Sequence, residues 1–455
     1  MVFDSQAKKV KARFDTAALM RVLGGPGLLL RFIGLVISFG LGIAASAQPA
    51  QTNSLVEGNT AFALDLYGHL SKTPGNVFFS PFSISTCLAM TYAGARSDTK
   101  MQMRQVLRFN QNDVRLHSSF SELQQRLIGT KEERGPQLTA LSPELLAQLN
   151  DAEKQKGMRL EIANALWTQK GEPFLPAFLN IAANDYQADL KQADFKTDAD
   201  AVMRQINGWV AQKTVDKIQN ILLPDDLDAS SRLVLVNAIY FKDNWSSPFK
   251  KAATSAQPFH LSTNSQVETS LMLHWDNVNY TENDDLQALE LPYIGEQSMV
   301  ILLPRQIDGV AHFESQLNPA YLDHLLAQMT AQRVRIELPR FKLESRFELE
   351  HTLPEMGMTD AFIAQKADFS GINGVRRGNA TSLYISHVIH KAWIEVTEEG
   401  TEAAAATTLS VAVGSAAPQA PRLVFRADHP FIFLIRDRIS GSLLFIGRMA
   451  DPRGV

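Results

Sequence analysis

The side chains best suited to chemistry in this 455-residue chain do not spell out a reaction centre. Neither a Gly-x-Ser-x-Gly elbow nor a His-Glu-x-x-His pair occurs. His387 and His390 stand three apart in an alternating segment, so a strand would turn them to opposite faces. Gly24, Gly25 and Gly27 follow no strand and are not a dinucleotide loop. Glu398-Glu399 and Asp284-Asp285 read as solvated acid pairs rather than an acid–base couple. Cys87, the single cysteine, lies among Ser85, Thr86, Leu88, Ala89 and Met90. A buried structural thiol fits that setting better than a nucleophile, and no intrachain disulfide can form. With ten histidines and many serines, a triad assembled only in space stays open. No metal or cofactor is expected.

The run Glu398-Glu399-Gly400-Thr401-Glu402-Ala403-Ala404-Ala405-Ala406-Thr407-Thr408 carries a different capability. It continues the alternating strand pattern of Trp393-Ile394-Glu395-Val396. As a strand, it would place Thr401, Ala403, Ala405, Thr407, Leu409, Val411 and Val413 on one face. Glu402, Ala404, Ala406, Thr408 and Ser410 would take the other. Such a segment is small enough to slot between packed strands, yet alanine gives it little drive to form a strand by itself. A solvated linker or a short helix fits the composition as well.

The elements that would position this run read as follows. Phe62, Leu66 and Leu70 repeat every fourth residue beside Ala63 and Tyr67, which predicts a helix. Val77-Phe78-Phe79 is a short strand, and Ser80-Pro81 is an N-cap followed by proline at the first helical position. Strands are expected over 160–168, 286–293, 299–303, 334–338 and 384–396. Leu233–Phe241 is almost continuously apolar and should be a central strand covered on both faces. A helix is expected over 202–214. Residues 431–435 and 443–446 should close a hairpin around Ser440-Gly441-Ser442. Residues 129–156 read as a mobile insertion. Helices gather early and strands late, an α+β pattern without repeats.

Net charge is −4, so no basic field for nucleic acid exists. Lys8, Lys9, Lys11 and Arg13 precede the apolar stretch 32–45 and Ala45-Ser46-Ala47, an A-x-A cleavage form. Residues 1–47 therefore read as a signal peptide, with Met1 or Met20 as its start. An uncleaved membrane anchor is the other reading. A secreted or periplasmic location follows from the first, and a single folded domain over 48–455.

Several ordered segments give the chain an overall likeness. They are Asn76-Val77-Phe78-Phe79-Ser80-Pro81-Phe82-Ser83-Ile84-Ser85, Ile206-Asn207-Gly208-Trp209-Val210, and Leu235-Val236-Asn237-Ala238-Ile239-Tyr240-Phe241-Lys242-Asp243-Asn244-Trp245. Leu338-Pro339-Arg340-Phe341, Ala367-Asp368-Phe369-Ser370-Gly371-Ile372, Val388-Ile389-His390-Lys391-Ala392, the run from Glu398, and Ala427-Asp428-His429-Pro430-Phe431-Ile432-Phe433 complete the set. Over residues 56–453 the chain resembles a serpin. That resemblance implies one α+β domain with three β-sheets, about nine helices and an exposed reactive-centre loop. It implies a suicide inhibitor of a serine or cysteine protease. The protease becomes acyl-linked to the cut loop, which then inserts into the main sheet.

By the same resemblance, the hinge is Glu398, Gly400, Thr401, Glu402, Ala403, Ala404, Ala405 and Ala406. The sheet-opening cluster is Ser80, Ser83, Asn237 and His390. Arg340 and Glu398 form a hinge restraint, expected to be an exposed pair worth a fraction of a kcal/mol. Trp245 is expected to pack. The cut bond is placed at Gly414-Ser415, with Val413 and Ala416 as neighbouring candidates, and small apolar residues there suit an elastase-like or subtilisin-like pocket. A monomer that meets no nucleic acid, and a membrane only through its N-terminal segment, completes the expectation. A non-inhibitory carrier and a secreted hydrolase remain the alternatives.

Overall fold

Ser80 caps its helix by accepting the Ser83 N–H at 3.1 Å, with Pro81 at the first helical position. This junction seats the N-terminal helices on the sheets. The computed structural model describes residues 50–128, 159–379, 381–401 and 423–454, within the unit Pro49–Val455. The leader 1–47, the insertion 129–156 and the loop residues 402–422 lie outside the described residues.

Helix α1 (Ala50–Leu70) buries Phe62, Leu66 and Leu70 along one stripe, as the fourfold spacing requires. Strand β1 (Val77–Phe79) leads through Ser80 into α2 (Pro81–Gly94), whose every residue is buried. It carries no charged residue, and its four serine and threonine hydroxyls, Ser83, Ser85, Thr86 and Thr91, are each hydrogen-bonded, which fits a helix enclosed on all sides. Helices α3 (Ser97–Val106) and α4 (Asp113–Ile128) follow.

The chain then builds half of a six-stranded sheet. It contributes β2 (Arg159–Gln169), α5 (Pro176–Asn184), β3 (Asp189–Ala193), α6 (Ala199–Lys213) and β4 (Leu233–Asn244). β4 is buried from Leu233 through Phe241. Leu233, Leu235, Ile239 and Phe241 join the main core, while Val234, Val236, Ala238 and Tyr240 join a second core beneath α6. Covering both faces is what its unbroken apolar run demands.

A second network follows. Its strands are β5 (Ser255–Ser262), β6 (Ser265–Glu282), β7 (Leu286–Pro292), β8 (Gln297–Pro304) and, after α7 (Val310–Gln316) and α8 (Pro319–Gln328), β9 (Thr330–Pro339). The chain returns to the first sheet with β10 (Phe341–Glu348), passes α9 (Leu349–Glu355) and α10 (Ser370–Asn373), and continues as β11 (Ile385–Val396) and the two-residue β12 (Gly400–Thr401). Strands β13 (Leu423–Arg426), β14 (Phe431–Asp437) and β15 (Leu443–Met449) finish the second network.

The first sheet has the order β10-β11-β12-β4-β2-β3, and β11 also pairs with β4 directly. The second joins two strand groups through the end of β6. Residues 271–280 of β6 pair with β9, while 279–282 pair with β7. The chain is therefore α+β with ten α-helices among the described residues and three strand groups, two of them hydrogen-bonded into one network. Helices α7 to α9 lie among the later strands, so the segregation is less clean than the sequence pattern suggests. The 18-residue β6 escapes a periodicity reading because its faces change exposure along its length.

Candidate functional site: a seam in the six-stranded sheet

Strands β4 and β11 run parallel and pair from Ile385 opposite Leu233 up to Trp393 opposite Tyr240. Above that point they separate, and β12 sits between them. Gly400 opposes Asn244 and Thr401 opposes Asp243, both antiparallel, while Thr401 also opposes Val396. The chain leaves β11, turns through Thr397–Gly400 with the Thr397 N–H on the Gly400 carbonyl at 2.8 Å, and re-enters the sheet. One antiparallel strand has thus been started in a gap that closes three residues below.

Gly400 is required at this entry. Its φ is +153°, and a Cβ would collide with the Asp243 carbonyl oxygen and lie 2.6 Å from Asn244 Cα. Thr401 is fully buried, and its hydroxyl shares a 2.6 Å hydrogen bond with the Tyr293 phenol. Tyr293 stacks on Trp245 with centroids 4.4 Å apart. Trp245 donates its indole N–H to the Thr397 carbonyl at 3.0 Å, so it packs and also anchors the turn.

Arg340 and Glu398 form a two-point pair at 2.7 and 2.5 Å. The expectation of an exposed pair is corrected here, because Glu398 is only 1% exposed. Its carboxylate also accepts the Thr254 hydroxyl at 2.5 Å, and its backbone carbonyl accepts the Phe249 N–H at 2.9 Å. Burial pushes this carboxyl upward, but the bonds from Arg340 and Thr254 outweigh it and hold its pKa below the usual range. Glu399 pairs with Lys251.

Lower in the seam, Ser80, Ser83, Asn237 and His390 come together, all buried. His390 opposes Asn237 across the parallel pair. The Ser80 N–H donates to His390 Nε2 at 3.1 Å, which leaves Nδ1 as the donor to Asn237 Oδ1. Asn237 Nδ2 donates to Ser83 Oγ at 2.6 Å and also to Asn164, a member that sequence reading missed. Ser80 Oγ donates to the Leu444 carbonyl at 2.6 Å. Burial depresses the His390 pKa to about 3, so the ring is neutral at physiological pH. His387, on the other face, bonds Glu350 at 3.0 Å. Cys87 is buried, and burial raises its thiol to about 12, which removes it as a nucleophile.

A family model described as serpin (serine protease inhibitor) matches residues 57–452. The chain belongs to the serpin family. Human leukocyte elastase inhibitor is 38% identical over 416 residues, covering 88% of this chain and 99% of its own. A serpin-like protein of Thermococcus kodakarensis is 38% identical over 407 residues, covering 89% of this serpin and 88% of itself. Among solved structures, Serpin48 of the insect Tenebrio molitor superimposes with a TM-score of 0.73 at 32% identity, covering 89% of this chain and 99% of its own. Human thyroxine-binding globulin does so with 0.73 at 26% identity, covering 89% and all of its own chain.

In this serpin the expected hinge members Glu398, Gly400 and Thr401 meet at the head of the seam. Glu402, Ala403, Ala404, Ala405 and Ala406 lie outside the described residues, as do Val413, Gly414, Ser415 and Ala416. Sequence reading missed Tyr293, Thr254 and Asp243. They come from three separate segments and carry no shared motif. The registers of β4, β11 and β12 alone bring them together.

Proposed function

We propose that this serpin inhibits serine-type endopeptidases as a suicide substrate. The loop is cut, the protease stays acyl-linked, and the freed segment inserts between β4 and β11. The observation that carries this reading is the seam itself, with Gly400–Thr401 already paired in its head. Extending the β12 register one residue at a time brings residue 411 opposite Leu233 and residue 412 opposite Ile385, the foot of both strands. Side-chain alternation then decides what is buried. Ala403, Ala405, Thr407, Leu409 and Val411 would face the main core with Leu233, Leu235, Ile239 and Phe241. These side chains are small or apolar throughout.

Energetics support a one-way step. Insertion breaks the parallel ladder of eight registered pairs. About ten entering residues would pair on both edges, a net gain of about a dozen bonds at roughly 1 kcal/mol each. A cut at Gly414-Ser415, or at Val413 or Ala416 beside it, leaves enough loop to reach the foot of the seam. No Arg or Lys occurs in Val411–Ala416, which favours an elastase-like or subtilisin-like target. Export through the leader 1–47, as a secreted or periplasmic monomer, belongs to the same proposal. No helix among the described residues is long and apolar enough to cross a membrane.

Incubation with pancreatic elastase and with subtilisin should give an SDS-resistant complex of serpin plus protease. Cleavage without any complex, across a broad protease panel, would leave the non-inhibitory carrier reading instead.

A further inference from the structure

We propose that Asp243 is a proton-operated catch for the hinge: its neutral carboxyl keeps Gly400–Thr401 docked in the seam, and its ionised form releases them. Asp243 is 3% exposed and stands directly opposite Thr401. Directly opposed residues of an antiparallel pair share a face, so the hinge itself covers this carboxyl. Its acceptors are poorly supplied. The Asn244 N–H reaches Oδ1 at 2.8 Å and the Gly295 N–H reaches Oδ2 at 3.4 Å. Among the described residues no cation pairs with it.

The charged groups around it are engaged elsewhere. On the hinge side, Glu398 is bound to Arg340 and Thr254, and Glu399 to Lys251. From the β7–β8 connection, Tyr293 presents its phenol to Thr401, and a charge on Asp243 opposes ionisation of that phenol. Glu296 pairs with Arg438, whose guanidinium also reaches the Gly295 carbonyl. Lys242, next along β4, takes the alternate face.

Burial pushes the Asp243 carboxyl up to about 6. With the hinge withdrawn, water reaches the group and its pKa falls back toward the ordinary value near 4. Docking therefore takes up a proton. The docked state is fully favoured below the ordinary value and loses ground as pH rises through about 6. A difference of about two pKa units corresponds to a docking equilibrium weakened by up to roughly a hundredfold at neutral pH. Glu398, held below its usual range, titrates outside this window.

Docking can be read without any protease, so the result is independent of the inhibitory reading. The Thr397 amide donates to the Gly400 carbonyl and the Trp245 amide to the adjoining Glu399 carbonyl, so both report on the seated hinge. Hydrogen–deuterium exchange of the full chain, followed in peptides covering 243–249 and 397–401 and corrected for intrinsic pH dependence, is the measurement. Protection should fall about tenfold between pH 5 and 7.5, levelling off above about 6. Asp243→Asn should stay protected throughout. A flat wild-type profile overturns the proposal whatever the variant does, and so does an Asn variant that keeps the wild-type transition.

Discussion

His390 and Asn237 face one another across the seam and are joined by a hydrogen bond from Nδ1 to Oδ1. On the proposed mechanism, this bond spans the line along which the sheet would open. On the proposed insertion, the register of Gly400–Thr401 extended downward would carry Thr407 to a position between these two residues. Its hydroxyl is suited to take over the bond that insertion breaks. Thr407→Val should leave native stability unchanged. It should lower the melting temperature of the loop-cleaved form, by about 1 kcal/mol in stability, as expected for one lost hydrogen bond. Paired calorimetry of intact and cleaved protein checks this.

Acid should act on the same cluster. The His390 pKa in the fold is about 3, below the ordinary value near 6.5. Between these limits the unfolded chain binds the extra proton, so stability is complete above 6.5 and is lost as pH falls. The ring contributes up to about 1.4 kcal/mol per pH unit in that window. Urea unfolding from pH 7 to pH 4 should show the slope in wild type and a reduced slope in His390→Gln. An identical slope in both would remove His390 from the account.

Glu398 is buried while Arg340 is half exposed, so the two partners should not be equivalent. Arg340→Ala leaves a buried carboxylate with only Thr254 and should cost about 2 kcal/mol, the size expected for a buried acceptor that loses its charged donor. Glu398→Gln keeps the shape and removes the charge, and should cost less. Denaturant midpoints of the two variants rank them. The reverse order would mean that the carboxylate does not depend on its arginine.

On the proposed inhibitory reading, a charge at Thr401 should turn inhibition into simple substrate cleavage. The side chain is fully buried against Tyr293, and an unpaired guanidinium there costs several kcal/mol. For Thr401→Arg the yield of covalent complex should fall more than tenfold while loop cleavage continues. Densitometry of complex against cleaved product measures that partition.

The scaffold was legible because its signals are local, whereas the polar cluster came only from the serpin resemblance, since Ser80, Asn237 and His390 lie more than 150 residues apart in sequence. Ser80-Pro81 announces its own cap, and the apolar run of β4 announces a strand covered on both faces. The state of Glu398 was not legible. Its two glutamates in a row look solvated, and only the turn at Thr397–Gly400 buries the first while leaving the second with Lys251. Asp243, Tyr293 and Thr254 stayed hidden for a related reason. Their proximity is a consequence of strand register, which no single segment encodes. Hinge residues 402–406 and the scissile region were read from sequence alone.

The central claim is that the native seam is waiting for a strand that the intact loop cannot deliver. Nicking the loop with a catalytic amount of subtilisin and comparing melting temperatures by calorimetry tests it most directly. On the order of 10 kcal/mol of added ladder bonds should raise the melting temperature of the nicked protein by tens of degrees. An unchanged or lowered melting temperature, with the loop cut within 413–416, would contradict the account.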